Sequence, residues 1–276
     1  MIIDSHCHAW RYWPYEPPVP DPEVRGRVEQ LIWEMDRWGV DQALLVCARI
    51  DHNPDNNDYG AYAATRYPDR LVQISDVDCS WWPTYHTPGA AGRLREEAQR
   101  HPIAGFTHYV GQPDGWFGSP DGIEFFEAAA ELDLIASIAA SPQWQPAIRD
   151  IARRFPTLPI LCHHLGGLGS RENAAELLES AAIPNILIKV SGFHYSSEKN
   201  WDFPYEEARE NFRAVAAAFG PQRLCWGSDF PASRDMLTYR QSLEAVRSYG
   251  DFLGDGIEQI LGGTMAEILR TRRPIS

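Results

Sequence analysis

Short apolar runs recur along the whole chain, and each run is followed by a stretch whose apolar residues have helical spacing. The runs are bounded by polar, glycine or proline residues, as buried strands are. We predict eight strands, the first opening at Ile2 and the others covering residues 42–48, 71–77, 103–109, 134–139, 159–163, 186–191 and 224–228.

The stretch after the first strand shows the helical pattern most clearly, because its apolar residues recur every three or four positions. They are Val24, Val28, Leu31, Ile32, Met35 and Trp38. Gly39 stands where a helix would end. Further helices are predicted over residues 56–66, 94–99, 122–131, 144–155, 173–182, 205–219, 239–249 and 257–269.

Strands that alternate with helices indicate right-handed crossovers and a parallel sheet. Eight such units in 276 residues match a (β/α)8 TIM barrel, which typically has about 250 residues. An open, doubly wound sheet would need a glycine-rich phosphate-binding turn after the first strand, and this chain has Ala9-Trp10-Arg11 there. We therefore predict a single α/β domain, a TIM barrel over residues 1–276.

Composition and charge limit the kinds of molecule that the protein is expected to bind. The chain is 44% hydrophobic and 23% charged, as folded globular proteins are. Its net charge of -13, with no cluster of Lys and Arg to offset it, argues against a nucleic-acid partner. No apolar run approaches the ~18 residues of a membrane span. We expect a small-molecule substrate and no nucleic-acid or membrane partner, and we leave homo-oligomer formation open.

The five cysteines are odd in number and lack a C-x-x-C spacing. This pattern argues against a disulfide framework and against a thiolate zinc site. Each cysteine lies in or at the end of a predicted strand, as small buried thiols in a reducing compartment do. The sequence therefore predicts a cytoplasmic protein.

The first ten residues, MIIDSHCHAW, place two histidines two positions apart on the first strand. Because alternate side chains on a strand share a face, we expect Asp4, His6 and His8 to point one way and Ser5 and Cys7 the other. Two imidazoles on one rigid strand can reach a single metal ion or a single substrate oxygen, although an isolated His-x-His is equally often a solvated or packed pair.

Other polar side chains follow the carboxyl ends of later strands, where the active site of a TIM barrel lies. They are His108 after the fourth strand, His163 and His164 after the sixth, His194 after the seventh and Asp229 after the eighth. The first and eighth strands are neighbours in a closed barrel, so Asp229 is expected beside the His6–His8 pair.

These residue types predict a hydrolytic centre. Three neutral imidazoles and one carboxylate, from His6, His8, His164 and Asp229, form a suitable set for Zn²⁺ or a similar divalent ion, with one position left for water. Asp229 could then take a proton from that water and return it to the leaving group. Without a metal, the histidines could hydrogen-bond a carbonyl oxygen while Asp229 activates water.

The segments MIIDSHCHAW, LPILCHHLGG, ILIKVSG and LCWGSDFP resemble strand signatures of the amidohydrolase superfamily. More narrowly, they are similar to its amidohydrolase-related branch of lactonases and metal-dependent decarboxylases. The resemblance spans essentially the whole chain and implies a (β/α)8 barrel. It also implies that His6 and His8 are metal or oxyanion ligands, and that Asp229 is the acid/base. His164 matches the family histidine of the sixth strand, so His163 is expected to face away and to be structural.

The chain departs from this family pattern at several strands. The fourth strand has no Lys or Glu to bridge two metals, and Thr107 stands where the branch often has Arg. The histidine usual on the fifth strand is missing, since that segment offers only Ser137 and Ser141. These departures argue against a binuclear site, against a decarboxylase and against an acidic substrate, and they leave metal-free catalysis open.

Four further residues are candidates for substrate contact. Lys189 also has a counterpart in the resemblance, and it could equally be a buried, paired lysine. His108 and His194 could instead be ordinary loop histidines, and Arg234 could be a solvated arginine at a helix start.

Three hypotheses follow from these patterns. The first is an amidohydrolase-superfamily hydrolase that opens a lactone or similar cyclic ester by attack of water activated by Asp229, with or without one divalent ion. The second is a mononuclear metal-dependent decarboxylase of an unsaturated or aromatic carboxylic acid. The third is a catalytically silent barrel that binds a ligand.

Overall fold

The computed structural model describes residues 1–16, 18–170, 172 and 174–272. Pro17 and Asn173, the latter being the first residue of a predicted helix, lie outside the described residues. Every strand predicted from the apolar runs is present, in the predicted order. The strands are β1 (Ile3–Cys7), β2 (Gln42–Val46), β3 (Leu71–Asp76), β4 (Gly105–Tyr109), β5 (Ile135–Ala139), β6 (Ile160–Cys162), β7 (Ile186–Val190) and β8 (Leu224–Trp226).

All strand pairs are parallel, and each strand pairs with the next one along the chain. The ends of β1 and β8 meet through two backbone hydrogen bonds, from the Asp229 amide to the His6 carbonyl at 2.7 Å and from the His8 amide to the Phe230 carbonyl at 2.6 Å. The sheet therefore closes on itself as a (β/α)8 TIM barrel, as predicted.

Helices connect successive strands and cover the outside of the barrel. The main ones are α1 (Val28–Trp38), α2 (Asn56–Arg66), α3 (Ala90–Arg100), α4 (Pro120–Glu131), α5 (Gln145–Arg154), α6 (Ala175–Glu179), α7 (Glu206–Phe219), α8 (Tyr239–Tyr249) and α9 (Thr264–Thr271). α1 begins at Val28 and not at Val24, because Arg27 has extended backbone angles. None of the described helices is long and apolar enough to cross a lipid bilayer.

The barrel interior is apolar at its amino-terminal end and polar towards its carboxyl end. The apolar part is a small cluster, closed from below by Met265 of α9, to which several strands contribute one inward side chain each. It includes Ile3, Leu44, Ile74, Ile135, Leu161, Leu187 and Cys225. A second, larger cluster lies between the strands and the helices. Above the inner cluster, the inward positions become polar, which places candidate chemistry at the carboxyl ends of the strands.

Strand β1 departs from the alternation expected for its side chains. Its register against β2 shifts between Asp4 and Cys7, so Ile3 packs in the inner cluster and Cys7 in the outer one. Strict alternation would have put both on one face. Asp4 Oδ1 accepts the backbone amides of His6 and Ser228 at 3.1 and 2.9 Å and joins β1 to β8.

Replacing Gly105 with alanine is expected to destabilise the barrel. An added Cβ would overlap the Ile135 carbonyl oxygen of the neighbouring strand and lie 2.9 Å from the Ile135 Cβ. Overpacking of this kind costs about 1–3 kcal/mol, measurable by urea denaturation. Gly92→Ala in α3 is the control, because that Cβ meets nothing within 4 Å and should raise stability by up to about 1 kcal/mol. Equal stability of the two variants would contradict this packing account.

Candidate active site

The centre of the site consists of His6, His8 and Asp229. The Nε2 atoms of the two histidines each lie 3.4 Å from Oδ1 of Asp229. All three side chains are buried, with residue exposures of 0%, 3% and 1%. The closure of β1 against β8 thus brings together two imidazoles and a carboxylate that are far apart in sequence.

Two residues with left-handed backbone angles direct side chains into this centre. Asp229 has φ +57° and His164 has φ +47°, a conformation uncommon outside glycine. His164 stands two residues past the end of β6 and Asp229 three residues past the end of β8, where the chain turns towards the next helix. Local backbone geometry therefore orients both side chains. The alternation of side chains along a strand does not predict this geometry.

Both histidines after β6 face the interior. The His163 ring lies 4.4 Å and the His164 ring 4.8 Å from the His6 ring, between centroids. The expectation that His163 faces away was wrong. His163 continues the inward alternation of Leu161, and the left-handed turn at His164 then returns the next side chain to the same side.

A buried chain of polar contacts runs beneath the centre. Lys189 Nζ donates to Ser137 Oγ at 2.7 Å and lies 3.1 Å from His6 Nδ1. Ser137 Oγ is in turn 2.6 Å from His163 Nε2. Lys189 is completely buried, so its ammonium group is a fixed positive charge next to His6. The fifth strand thus contributes a serine hydroxyl to these contacts.

The protonation states follow from burial and from the charges nearby. Burial lowers the pKa of His164 to about 4, and burial followed by the Lys189 charge holds the pKa of His6 well below its usual value. Burial alone would raise the pKa of Asp229, but the neighbouring His164 and the adjoining His6 and His8 rings hold it well below its ordinary range. An ionised carboxylate therefore faces the neutral imidazoles of His6 and His164, as a proton acceptor should.

The donor set of His6, His8 and Asp229 fits a divalent metal ion. His8 Nδ1 lies 2.7 Å from the Val46 carbonyl and donates to it, which leaves Nε2, the nitrogen next to Asp229, as the atom that can bind a metal. His6 Nε2 is buried without a hydrogen-bond partner among the described residues. The 3.4 Å separations match the roughly 3.3 Å between two ligands of one tetrahedral zinc ion. His164 groups with His6 and His163 in a second such cluster.

Two residues of the loop after β7 border the carboxylate. The hydroxyl of Tyr195 donates to Asp229 Oδ2 at 3.1 Å, although the residue is 48% exposed. Tyr195 therefore stands between the buried carboxylate and solvent. His194 is buried beside it, with ring centroids 3.9 Å apart, and its Nδ1 has no partner in the described part of the chain.

The structure does not bring His108 and Arg234 to this centre. The Nδ1 of His108 lies 3.0 Å from the Val77 carbonyl, and its Nε2 lies 3.1 Å from His86 Nε2. Its ring packs against Phe125 of α4, because alternation along β4 turns residue 108 outward. Arg234 donates to the Arg25 carbonyl at 3.3 Å.

Sequence reasoning missed several side chains near Asp229. Tyr195 directly follows a candidate histidine, and that adjacency was a usable signal. Tyr15 comes from the irregular first loop, and the charge of Asp229 contributes, after burial, to its raised pKa. No periodicity could have placed Tyr15, because loop conformation depends on tertiary contacts.

Comparison with known proteins agrees with this geometry. The amidohydrolase family model matches residues 3–266. A curated relative, the L-fucono-1,5-lactonase of Burkholderia ambifaria, is 31% identical over 289 residues, which cover 99% of this chain and 96% of that protein. A second, the L-fucono-1,5-lactonase of Burkholderia multivorans, is 22% identical over 297 residues, covering 99% and 97%.

Solved structures share the fold. An amidohydrolase from Burkholderia multivorans with bound zinc superimposes with a TM-score of 0.78 at 20% identity, over 97% of this chain and 98% of that one. A probable 2-pyrone-4,6-dicarboxylic acid hydrolase from Acinetobacter baumannii gives 0.75, also at 20% identity and with the same coverage. At this level of identity the likeness extends to the barrel architecture alone.

Proposed function

The chain belongs to the amidohydrolase family and is a hydrolase of that superfamily, and from this premise we propose that its substrate is a lactone. The observation that carries the proposal is the position of Asp229, whose Oδ1 lies 3.4 Å from the Nε2 atoms of both His6 and His8. The lactonase named among its relatives supports a sugar lactone. Lactone opening needs a proton acceptor, and the Asp229 carboxylate supplies it.

In the proposed reaction, Asp229 accepts a proton from water as the water oxygen bonds to the carbonyl carbon of the lactone. The ring C–O bond then breaks, and Asp229 returns the proton to the leaving oxygen. Tyr195 holds Oδ2 of the carboxylate, so Oδ1 remains available for the proton. The Lys189 ammonium fixes the orientation of His6 from below and adds positive charge near the oxyanion.

The same side chains support a bound divalent ion. Held by His6, His8 and Asp229, with His164 adjacent, such an ion would polarise the lactone carbonyl and lower the pKa of a water molecule. A structural relative with bound zinc makes zinc the ion to test.

Zinc retention should depend on His8. After incubation with zinc and dialysis, the wild type is expected to keep about one ion per chain, whereas His8→Asn should keep little, because a ligand is lost. Mass spectrometry of the metal content measures this. His52→Asn, which alters an exposed histidine, is the control and should match the wild type. Equal zinc content in all three proteins would contradict the proposed ligand set.

A titration assay on a panel of lactones tests the proposed function. The wild type should release one carboxylic acid for each lactone opened, faster than the uncatalysed rate, with sugar lactones among its substrates. It should release no CO₂ from aromatic carboxylic acids, since β5 lacks the histidine on which the decarboxylases of the amidohydrolase-related branch depend. CO₂ release with no activity on lactones would replace the proposal with the decarboxylase alternative.

A further inference from the structure

Three polar side chains form a row on the inner face of the barrel, on the side opposite Asp229. Asp76 of β3 is in register with Thr107 of β4, which is in register with Ser137 of β5. Residues in register on parallel strands share a face. That face is the interior, because Ile74, two positions before Asp76, and Ile135, two positions before Ser137, both pack in the inner cluster.

Two atoms of this row have no hydrogen-bond partner. Asp76 Oδ1 and Thr107 Oγ1 are both buried and unpartnered within the ranges the structure describes. The residues are 1% and 0% exposed. Leaving a buried polar atom without a hydrogen bond is unfavourable. A neighbouring carboxylate and hydroxyl that both lack one therefore indicate a hydrogen-bond partner from outside the chain.

The other carboxylate oxygen of Asp76 is held firmly. Oδ2 accepts the backbone amide of Arg49 at 2.7 Å and the indole N–H of Trp81 at 3.0 Å. These two donors fix the side-chain rotamer. The Cys79 thiol also lies beside this carboxylate, and no cation pairs with Oδ1 in the described structure. Burial raises the pKa of Asp76 to about 6, so the group is ionised at neutral pH and acts as an acceptor.

The row lies across the mouth of the barrel from Asp229. β4 and β8 are four strands apart in a closed ring of eight, hence opposite each other. Tyr109, two residues beyond Thr107, stands between the two sides: its ring lies 5.3 Å from the ring of His163, between centroids. Its ring also packs against Trp81 at 4.8 Å between centroids. Ser137, the next member of the row, contacts Lys189 Nζ and His163 Nε2, so the row adjoins the catalytic centre.

We propose that Asp76 and Thr107 together bind one ring hydroxyl of the substrate and select hydroxylated lactones. The substrate hydroxyl donates to Asp76 Oδ1 and accepts from the Thr107 hydroxyl, which satisfies both unpaired atoms. A carboxylate-bearing ring would instead place a second negative charge against Asp76. This inference rests on the proposed lactonase function.

The test compares Asp76→Asn with the wild type on matched substrates. Asparagine can still accept from Arg49 and Trp81, but it then presents an N–H₂ group to the substrate in place of an acceptor. For the sugar δ-lactone that the wild type opens fastest, kcat/KM is expected to fall on the order of 10- to 100-fold. For δ-valerolactone, which has no hydroxyl, it should change by less than about 3-fold, since no hydrogen bond is lost.

Thr107→Val provides a second variant of nearly the same shape and should show the same selective loss. Asp78→Asn is the control, because Asp78 is already bonded by Arg93 and Thr84 and should not alter the ratio of the two substrates. Equal losses on both lactones, or no loss on either, in both Asp76→Asn and Thr107→Val would overturn the assignment.

Binding separates this inference from the lactonase proposal. Sugar δ-lactams of gluco, galacto and manno configuration carry the ring hydroxyls but resist opening, and calorimetry measures their affinity. We expect at least one of them to bind the wild type roughly 10-fold or more tightly than Asp76→Asn. If the wild type opens no lactone but this difference is found, the hydroxyl site stands and the hydrolase proposal fails. If no lactam binds the wild type and no lactone is opened, both fail.

Discussion

Asp229→Asn is expected to lower kcat/KM for lactone opening by about 10³- to 10⁴-fold, which is the upper range for loss of a general base. Asparagine has the same shape and can still accept the Tyr195 hydroxyl bonded to Oδ2, but it cannot take a proton from water. The side chain is buried beside His6 and His8, so no solvent group replaces it. Initial rates on the best lactone, with the thermal midpoint measured in parallel, check this result.

Two control variants distinguish the loss of the proton acceptor from the loss of other groups near it. Asp235→Asn changes an exposed carboxylate six residues along the chain and should leave kcat/KM unchanged. Tyr195→Phe removes the hydroxyl that bonds Oδ2 while leaving the carboxylate, and a loss of about 10-fold or less is expected. Activity in a folded Asp229→Asn protein within about 10-fold of the wild type would rule out this residue as the base.

Lys189→Met should separate activity from stability. The ammonium group of Lys189 contacts His6 Nδ1 and Ser137 Oγ from a fully buried position. Its removal takes positive charge and a donor away from the centre, so kcat/KM is expected to fall about 10²-fold, as when one oxyanion donor is lost. Because burial lowers the pKa of Lys189 to about 8, the charge is unfavourable to the fold, and methionine should leave the thermal midpoint unchanged or higher.

The chain offers a natural control for this variant. Lys199 is the only other lysine in the sequence and is exposed, so Lys199→Met should match the wild type in both rate and thermal midpoint. A purely structural role for Lys189 would instead lower the midpoint of Lys189→Met and leave the kcat of the folded fraction near the wild-type value. Calorimetry and steady-state kinetics on the same preparation distinguish these outcomes.

The barrel and the rim of its active site could be predicted without coordinates. The apolar runs and the helical spacing between them are local properties of the sequence, and their alternation allows few topologies. In a parallel sheet every strand ends on the same side, so the residues after strands one, six and eight had to converge. For that reason His6, His8, His164 and Asp229 could be grouped from the sequence.

The direction of individual side chains was harder to predict. The strict alternation expected along β1 failed because a register shift between Asp4 and Cys7 breaks the two-residue period. The expectation that His163 faces away failed because the backbone is left-handed at His164, just past β6. Two consecutive side chains therefore face the interior. His108 follows the two-residue alternation of β4, but the sequence did not show which of the two alternating sets of side chains faces the interior.

The sequence alone determined which residue types stand at the carboxyl ends of eight parallel strands, since that depends only on local periodicity and chain order. Tertiary structure decided which of them meet. Lys189 reaches His6 and Ser137 only because the ring closes, and Asp76 aligns with Thr107 only through inter-strand register. Such contacts join residues distant along the chain, and their geometry depends on the packing of the whole barrel.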